Sequence, residues 1–259
     1  MRRGLSFRSG NPVLRKNTFS NIENVTGKTM TIQGTVNKTI ISFICLFITA
    51  IYSWNSFEVG QSGTGLLYFG MIGGFILALI TIFKKQWAPY TVLMYAAFQG
   101  LFLGIISKLY ANPEIYGIGY NGIVEQAILL TFGILASLLF AYKSKLIKPT
   151  ENFKLGVFAA TGGIALVFFT SMIYSFFTHE TFGIMSPENG SLPSIGFSLF
   201  IVIIASLNLV LDFDFIEQGA EMGAPKYMEW YGAFGLLVTL IWLYLEILRL
   251  LSKLNSRRN

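Results

Sequence analysis

Carboxylates set among large apolar side chains are the residues of this sequence best suited to do chemistry. Asp212 and Asp214 lie in the segment 207–216, where the only other polar residue is Asn208. An ionised carboxylate at the centre of a bilayer costs roughly 2.5 to 3.5 kcal/mol, so such residues mark candidate ion or proton pathways. Because a helix turns about 100° per residue, Asn208 and Asp212 share one face and Asp214 points elsewhere. The shared face also carries Ala205, Ile201 and Ser198. We expect this face to point into a helix bundle, with Asp214 either joining the pathway or lying at headgroup depth.

Glu229 follows after a short loop and begins the next apolar stretch. We therefore expect it at a membrane depth close to that of Asp212. Two carboxylates that are close together in a low dielectric do not both ionise easily, so the pair would share a proton and respond to pH. Ca²⁺ prefers oxygen ligands, which makes a transient calcium site at Asp212 and Glu229 a further expectation. The spacing Asp212-x-Asp214-x-x-Glu217 lacks the turn glycine of an EF-hand, which we exclude.

Glu246 is a second acid in the last apolar stretch, 17 residues after Glu229. A helix rising 1.5 Å per residue places it about 25 Å further along, near the opposite membrane face from Asp212. Glu246 is also three residues before Arg249, the spacing of a helical ion pair. It is therefore a candidate either for the pathway or for a structural pair.

Soluble catalytic motifs are missing from the sequence, which has no Gly-x-Ser-x-Gly elbow, phosphate loop or His-Glu-x-x-His. The single histidine, His179, and the single cysteine, Cys45, cannot build a zinc site or an intramolecular disulfide. We expect no enzymatic activity and no resident cofactor, with Ca²⁺ entering only as a permeant ion.

The composition requires lipid as part of the solvent, because 53% of the 259 residues are hydrophobic and only 12% are charged. Soluble proteins carry roughly 25% charged residues. The apolar residues form seven blocks near the roughly 20 residues that cross a hydrocarbon core. The predicted spans are 36–54, 65–83, 87–107, 123–142, 155–177, 195–216 and 228–251. We predict an all-α, polytopic seven-helix bundle over 36–251, with a basic cytoplasmic tail over 1–35 and a short basic tail over 252–259.

The distribution of lysine and arginine predicts a cytoplasmic amino terminus, since cytoplasmic segments retain these residues. They concentrate in the tail and the even-numbered loops, whereas the odd-numbered loops hold only Lys108. Seven crossings would then place the carboxyl terminus outside, although four cations oppose this: Arg249, Lys253, Arg257 and Arg258. A last segment that dips into the membrane and returns is the alternative. The net charge of +6 predicts contact with anionic lipid rather than with nucleic acid.

Small-residue spacings predict close helix packing within the bundle. Gly70 and Gly74 form one such pair, and Gly100 and Gly104 form another. Glycines four apart let helix backbones approach closely where lipid supplies no hydrophobic drive for association. A dimer interface is the alternative interpretation.

Several segments together resemble the Bax inhibitor family of membrane proteins, in the bacterial branch with a longer basic amino-terminal tail. The matching segments are 11–14, 30–39, 100–104, 212–217, 229–231 and 240–246. The resemblance implies a bundle whose last helix is central, in a bacterial plasma membrane. It also implies a pH-sensitive calcium leak, gated by an acid pair between the sixth and seventh helices.

The resemblance assigns the sixth-helix acid to Asp212 and leaves its partner on the seventh helix open. Glu246 fits by its neighbours Leu243-Tyr244-Leu245, Thr239 by the register that aligns Arg249, and Glu229 by depth. Gln99 stands where relatives often carry glutamate, so this chain lacks one acid that the family pattern would place on the third helix.

Two functions of different classes follow from these observations. The first is a leak for cations such as calcium, controlled by protonation of Asp212 and a seventh-helix acid. The second is a non-conducting membrane partner that modulates a membrane protease or a stress response, with the buried acids holding helices together. A proton-coupled transporter is the third candidate, because it would need a substrate cavity that the sequence does not reveal. No repeat between the two halves supports an inverted-repeat transporter.

Overall fold

The computed structural model describes residues 28–57, 64–112 and 120–258. Most of the predicted basic tail, segment 11–14 of the family resemblance and Asn259 lie outside the described residues. Within the described ranges, seven α-helices follow one another: α1 Ile32–Ser56, α2 Thr64–Phe83, α3 Ala88–Ala111, α4 Ile123–Lys143, α5 Glu151–Thr178, α6 Leu192–Glu221 and α7 Met228–Ser256. Short 3₁₀ turns occupy Lys85–Trp87 and Gly183–Met185. Thr29 and Pro225 form an isolated β-bridge.

In the part of the chain that the structure describes, all seven helices are long and apolar enough to cross a membrane, which confirms the predicted fold class and agrees with the predicted number of spans. The helices extend beyond the predicted blocks at several ends, since the apolar pattern marks the hydrocarbon depth and not the full helix. The first five residues of the predicted carboxyl-terminal tail, for example, belong to the last helical turns of α7.

The chain divides into two compact units. The α4–α5 unit contains α4, α5, α6 up to Phe213 and α7 from Thr239. The α1–α3 unit contains α1, α2, α3 up to Leu109, the rest of α6 from Asp214 and α7 up to Val238. Both units therefore draw on the last two helices.

The last two helices are the most buried, as expected for helices at the interior of a bundle. In the most apolar stretch of α7, 61% of residues are buried, and in α6 56%, against 17 to 44% for the other five helices. On α1, by contrast, a stripe at helical spacing is exposed: Ile40, Ile44, Ile48 and Ile51. Such exposed apolar stripes suit lipid contact.

The glycine pairs mark helix packing inside the α1–α3 unit, as predicted. A Cβ on Gly100 would approach the backbone of α1 at Leu46 to less than 3.0 Å, and one on Gly104 would meet Ala50. A Cβ on Gly70 would lie 2.8 Å from the backbone nitrogen of Phe102 on α3. Only glycine permits these backbone contacts, so the interpretation as intramolecular packing is confirmed.

Candidate functional site

One face of α6 carries a row of small and polar side chains into the interior of the α4–α5 unit. Ser198, Ile201 and Ala205 are fully buried. Asn208 is 1% exposed and Asp212 is 0% exposed. The helical spacing predicted this shared face, and the burial agrees with it.

Asn208 links α6 to α5 through its side-chain amide. Its Nδ2 donates to Thr161 Oγ1 at 2.8 Å and to the Ile204 carbonyl at 2.9 Å. Those two bonds use both amide hydrogens, so Oδ1 is left as an acceptor. Among the described residues this buried Oδ1 has no hydrogen-bond partner. The face therefore offers a neutral oxygen one turn away from the Asp212 carboxylate.

Asp214 has different surroundings from Asp212, although only one residue separates them. It is half-buried and belongs to the α1–α3 unit. Gln218, one turn later on α6, donates its side-chain amide to Asp214 Oδ2. Partial exposure and a local partner fit the alternative of an acid near the membrane surface.

Glu229 lies buried in the first turn of α7, where it binds the start of α1 within the α1–α3 unit. Its Oε1 accepts from the Thr31 backbone nitrogen at 3.0 Å and from the Thr31 hydroxyl at 2.8 Å. Lys226 donates its ammonium to the same oxygen at 2.6 Å. Thr31 is also the N-cap of α1, since its hydroxyl accepts from the Gly34 nitrogen. The carboxylate thus joins a negative charge to a helix amino terminus, which is a favourable placement.

The close approach of Glu229 depends on a missing side chain in α1. A Cβ at Gly34 would lie within 3.0 Å of both carboxylate oxygens of Glu229. Two further contacts hold this corner: the Met30 nitrogen donates to the Ala224 carbonyl at 2.7 Å, and Gly232 packs against Thr35. The amino-terminal end of α1 is therefore fastened to the amino-terminal end of α7.

The predicted pairing of Asp212 with Glu229 stays a prediction. Asp212 belongs to the α4–α5 unit and Glu229 to the α1–α3 unit. The contact of Glu229 with Lys226 could have been predicted from the sequence, because the two residues are three apart at the start of a helix. Thr31 had no such signal, because it lies 198 residues away in the chain.

Glu246 forms the ion pair that its spacing predicted. Arg249 Nη1 lies 2.5 Å from Glu246 Oε1. The guanidinium also lies over the Phe168 ring of α5, 5.5 Å from its centroid. Glu246 is 1% exposed, and its Oε2 has no hydrogen-bond partner in the part of the chain that the structure describes. Thr239, the other candidate on this part of α7, is also buried.

Lys253 is a buried charge, although the sequence pattern places it in the carboxyl-terminal tail. Its side chain is fully buried in α7, and its ammonium donates to oxygens of residues 184, 194 and 198. A lysine near the end of the chain is ordinarily expected to be exposed to water, so the sequence did not indicate that Lys253 is buried.

The described ranges contain no group of three or more histidine, cysteine or acidic side chains that could hold a metal ion. The polar groups are instead single carboxylates beside neutral oxygens, as at Asp212 and Asn208. Ca²⁺ usually takes six to eight oxygen ligands. Residues of this kind could supply part of such a shell, with water supplying the rest.

The comparisons with known proteins bear on the whole of this helical region. No significant match was found among curated proteins. A family model described as Bax inhibitor 1 like matches residues 11–256, which include all seven helices. The resemblance to the Bax inhibitor family is thereby confirmed, and the chain is a membrane protein that belongs to the Bax inhibitor 1 like family.

Proposed function

We propose that this protein is a pH-sensitive cation leak of a bacterial plasma membrane, with Ca²⁺ as the permeant ion. The observation that carries the proposal is the complete burial of Asp212 on the polar face of α6. A carboxylate inside a membrane protein is costly and is typical of ion and proton pathways. No enzymatic step and no resident cofactor form part of this proposal.

The polar face of α6 has the ligand chemistry that a dehydrating cation requires. Asn208 contributes an amide oxygen without a partner among the described residues, and Asp212 contributes a carboxylate. Thr161 and Ser198 add hydroxyl groups in the α4–α5 unit. Rings and rows of neutral oxygens with few charges allow an ion to bind and to leave.

Control by pH would act on buried carboxylates of the last two helices. The first candidate for this control is Asp212 paired with an acid of α7, either Glu229 or Glu246. Glu229 also offers a route of its own, because its ionised carboxylate ties α1 to α7 through Thr31 and Lys226. Protonation would remove the charge that Lys226 binds and loosen this tie. The sign of the flux response depends on which packing conducts.

The test is calcium flux into liposomes that contain the purified protein, measured across a range of external pH. Asp212→Asn should abolish the pH-dependent part of the flux. Asp214→Asn is the matched control, since Asp214 is half-buried and bonded to Gln218. Equal flux from wild type and Asp212→Asn, at every pH, would remove the proposed role of Asp212.

A non-conducting membrane partner is the second candidate, because several buried polar groups are compensated within the chain. Glu246 binds Arg249, and the Asn208 amide binds Thr161. Polar contacts of this kind hold membrane helices together, by about 0.6 kcal/mol each on average. Under this function Asp212→Asn lowers thermal stability without altering flux. Cross-linking in cells would recover a membrane protease or another membrane protein.

We also propose a cytoplasmic amino terminus and an external carboxyl terminus. Three cations that oppose this orientation form contacts within the chain, and these contacts offset their charge. Lys108 donates to the carbonyls of Trp54 and Phe57 at the end of α1. Arg249 is paired with Glu246, and Lys253 is buried. Protease protection of tags placed at each terminus, in sealed inside-out vesicles, tests the orientation.

A further inference from the structure

Lys253 has the surroundings of a bound cation. Its side chain is 0% exposed, close to the end of α7. The ammonium donates to the Ile184 carbonyl at 2.7 Å, the Ser198 hydroxyl at 2.8 Å and the Ser194 carbonyl at 3.2 Å. These three oxygens use all three hydrogens of the ammonium. We call them the oxygen cage.

The oxygen cage is electrically neutral. In the described ranges no carboxylate lies within 4.0 Å of the Lys253 ammonium. The charged groups that act on it from a distance are Arg249 and Glu246, on its own helix. An isolated charge is expensive to bury. Here carbonyl and hydroxyl dipoles make the direct contacts that offset that cost, as they do for an ion in a channel filter.

The residues around the oxygen cage hold it in place without using the lysine. The Ser194 hydroxyl donates to the Ile184 carbonyl at 3.1 Å, so two cage residues bind each other directly. Ser256, three residues after Lys253, donates its hydroxyl to the Glu188 carbonyl at 2.7 Å. A Cβ at Gly190 would lie 2.8 Å from the Arg257 nitrogen, which shows how closely this segment approaches the end of α7.

We propose that the oxygen cage is a binding site for a monovalent cation of about the size of ammonium or potassium, and that Lys253 occupies it as a tethered ion. Ca²⁺ fits poorly, because it binds carboxylate and other oxygens at about 2.3 to 2.6 Å. The cage oxygens are neutral and lie 2.7 to 3.2 Å from the ammonium nitrogen. The lysine thereby keeps mobile cations out of this end of the α4–α5 unit. This inference stands on the cage geometry and does not require the proposed leak.

The experiment is chemical rescue of a truncated lysine. Lys253→Ala keeps the three oxygens and removes their cation, so thermal unfolding in detergent should begin at a lower temperature than in wild type. Propylammonium or K⁺ should then restore stability, by about 5 to 10 °C at 100 times the dissociation constant. N-methylglucamine, at the same ionic strength, controls for screening. Lys253→Met fills the space with an apolar chain, so neither it nor wild type should respond.

The site is established if the cations raise the unfolding temperature of Lys253→Ala alone. A folded Lys253→Ala whose unfolding temperature changes with neither cation overturns the site. An equal response of Lys253→Met overturns it as well.

If Lys253→Ala does not fold, a double-mutant cycle of Ser198→Ala and Lys253→Met provides the test. Ser198→Ala should lower the unfolding temperature in wild type and leave it unchanged in the Lys253→Met background, and additive effects would refute the cage.

Discussion

Gly34→Ala is the sharpest perturbation that the Glu229 contact permits, because a single methyl group competes directly with the carboxylate. The added Cβ would lie within 3.0 Å of both carboxylate oxygens. Gly34 stands on a regular helix, so alanine meets no backbone strain there. The backbone of α1 is fastened by its own helical hydrogen bonds, and we therefore expect the carboxylate to move away.

The expected cost follows from the bonds that this movement breaks. Hydrogen bonds to an ionised group contribute about 1.5 to 3 kcal/mol each, and Thr31 donates two to Glu229. The Lys226 side chain is 48% exposed, so its ion pair adds only about 0 to 1 kcal/mol. Replacing a helical glycine by alanine returns about 1 kcal/mol. The net loss is about 2 to 6 kcal/mol, or about 4 to 24 °C in unfolding temperature.

Two controls separate the steric effect from other consequences of the substitution. In a Glu229→Ala background no carboxylate opposes the methyl group, so Gly34→Ala should become neutral or stabilising. Gly133→Ala, on α4, adds a methyl group where no atom lies within 4 Å, and should be equally harmless. Thermal unfolding of the four variants in detergent measures the coupling. If Gly34→Ala is tolerated as well as Gly133→Ala, the Glu229 contact does not fasten α1 to α7.

Three further substitutions test the buried polar contacts and the glycine packing. Asn208→Ala should destabilise the protein by about 1 to 3 kcal/mol, because it removes a buried donor from Thr161, and denaturant titration measures the loss. Arg249→Met should cost about 3 to 5 kcal/mol by leaving Glu246 buried without its partner, whereas adding Glu246→Leu should recover most of that stability. Gly100→Ala should lower the unfolding temperature and expose α1 to limited proteolysis, since the methyl group would collide with its backbone.

Features governed by a single helix could be predicted from the sequence. The seven spans follow from the length of apolar blocks, and the buried face of α6 follows from helical spacing. The Glu246–Arg249 pair is also local, since three residues separate its members. In each case the relevant geometry is that of one helix, which does not depend on the other helices.

Contacts between distant segments could not be predicted in this way. Thr31 and Glu229 lie 198 residues apart, and Lys253 meets oxygens that are 55 to 69 residues earlier in the chain. Two of the cage oxygens are backbone carbonyls, which every residue type provides. The identity of residue 184 therefore carries no information about the site.

The sequence neighbours of a charged residue explain why burial is predicted for Asp212 and not for Lys253. Asp212 is surrounded in sequence by apolar residues, so its cost of insertion is visible in the order of the residues themselves. Lys253 lies among other cations and polar residues near the end of the chain, where solvation is the ordinary expectation. Its long alkyl chain, however, can carry the ammonium away from the backbone to a favourable site. A terminal lysine on an apolar helix therefore has to be judged by the oxygens within its reach, and not only by the polarity of its neighbours in the sequence.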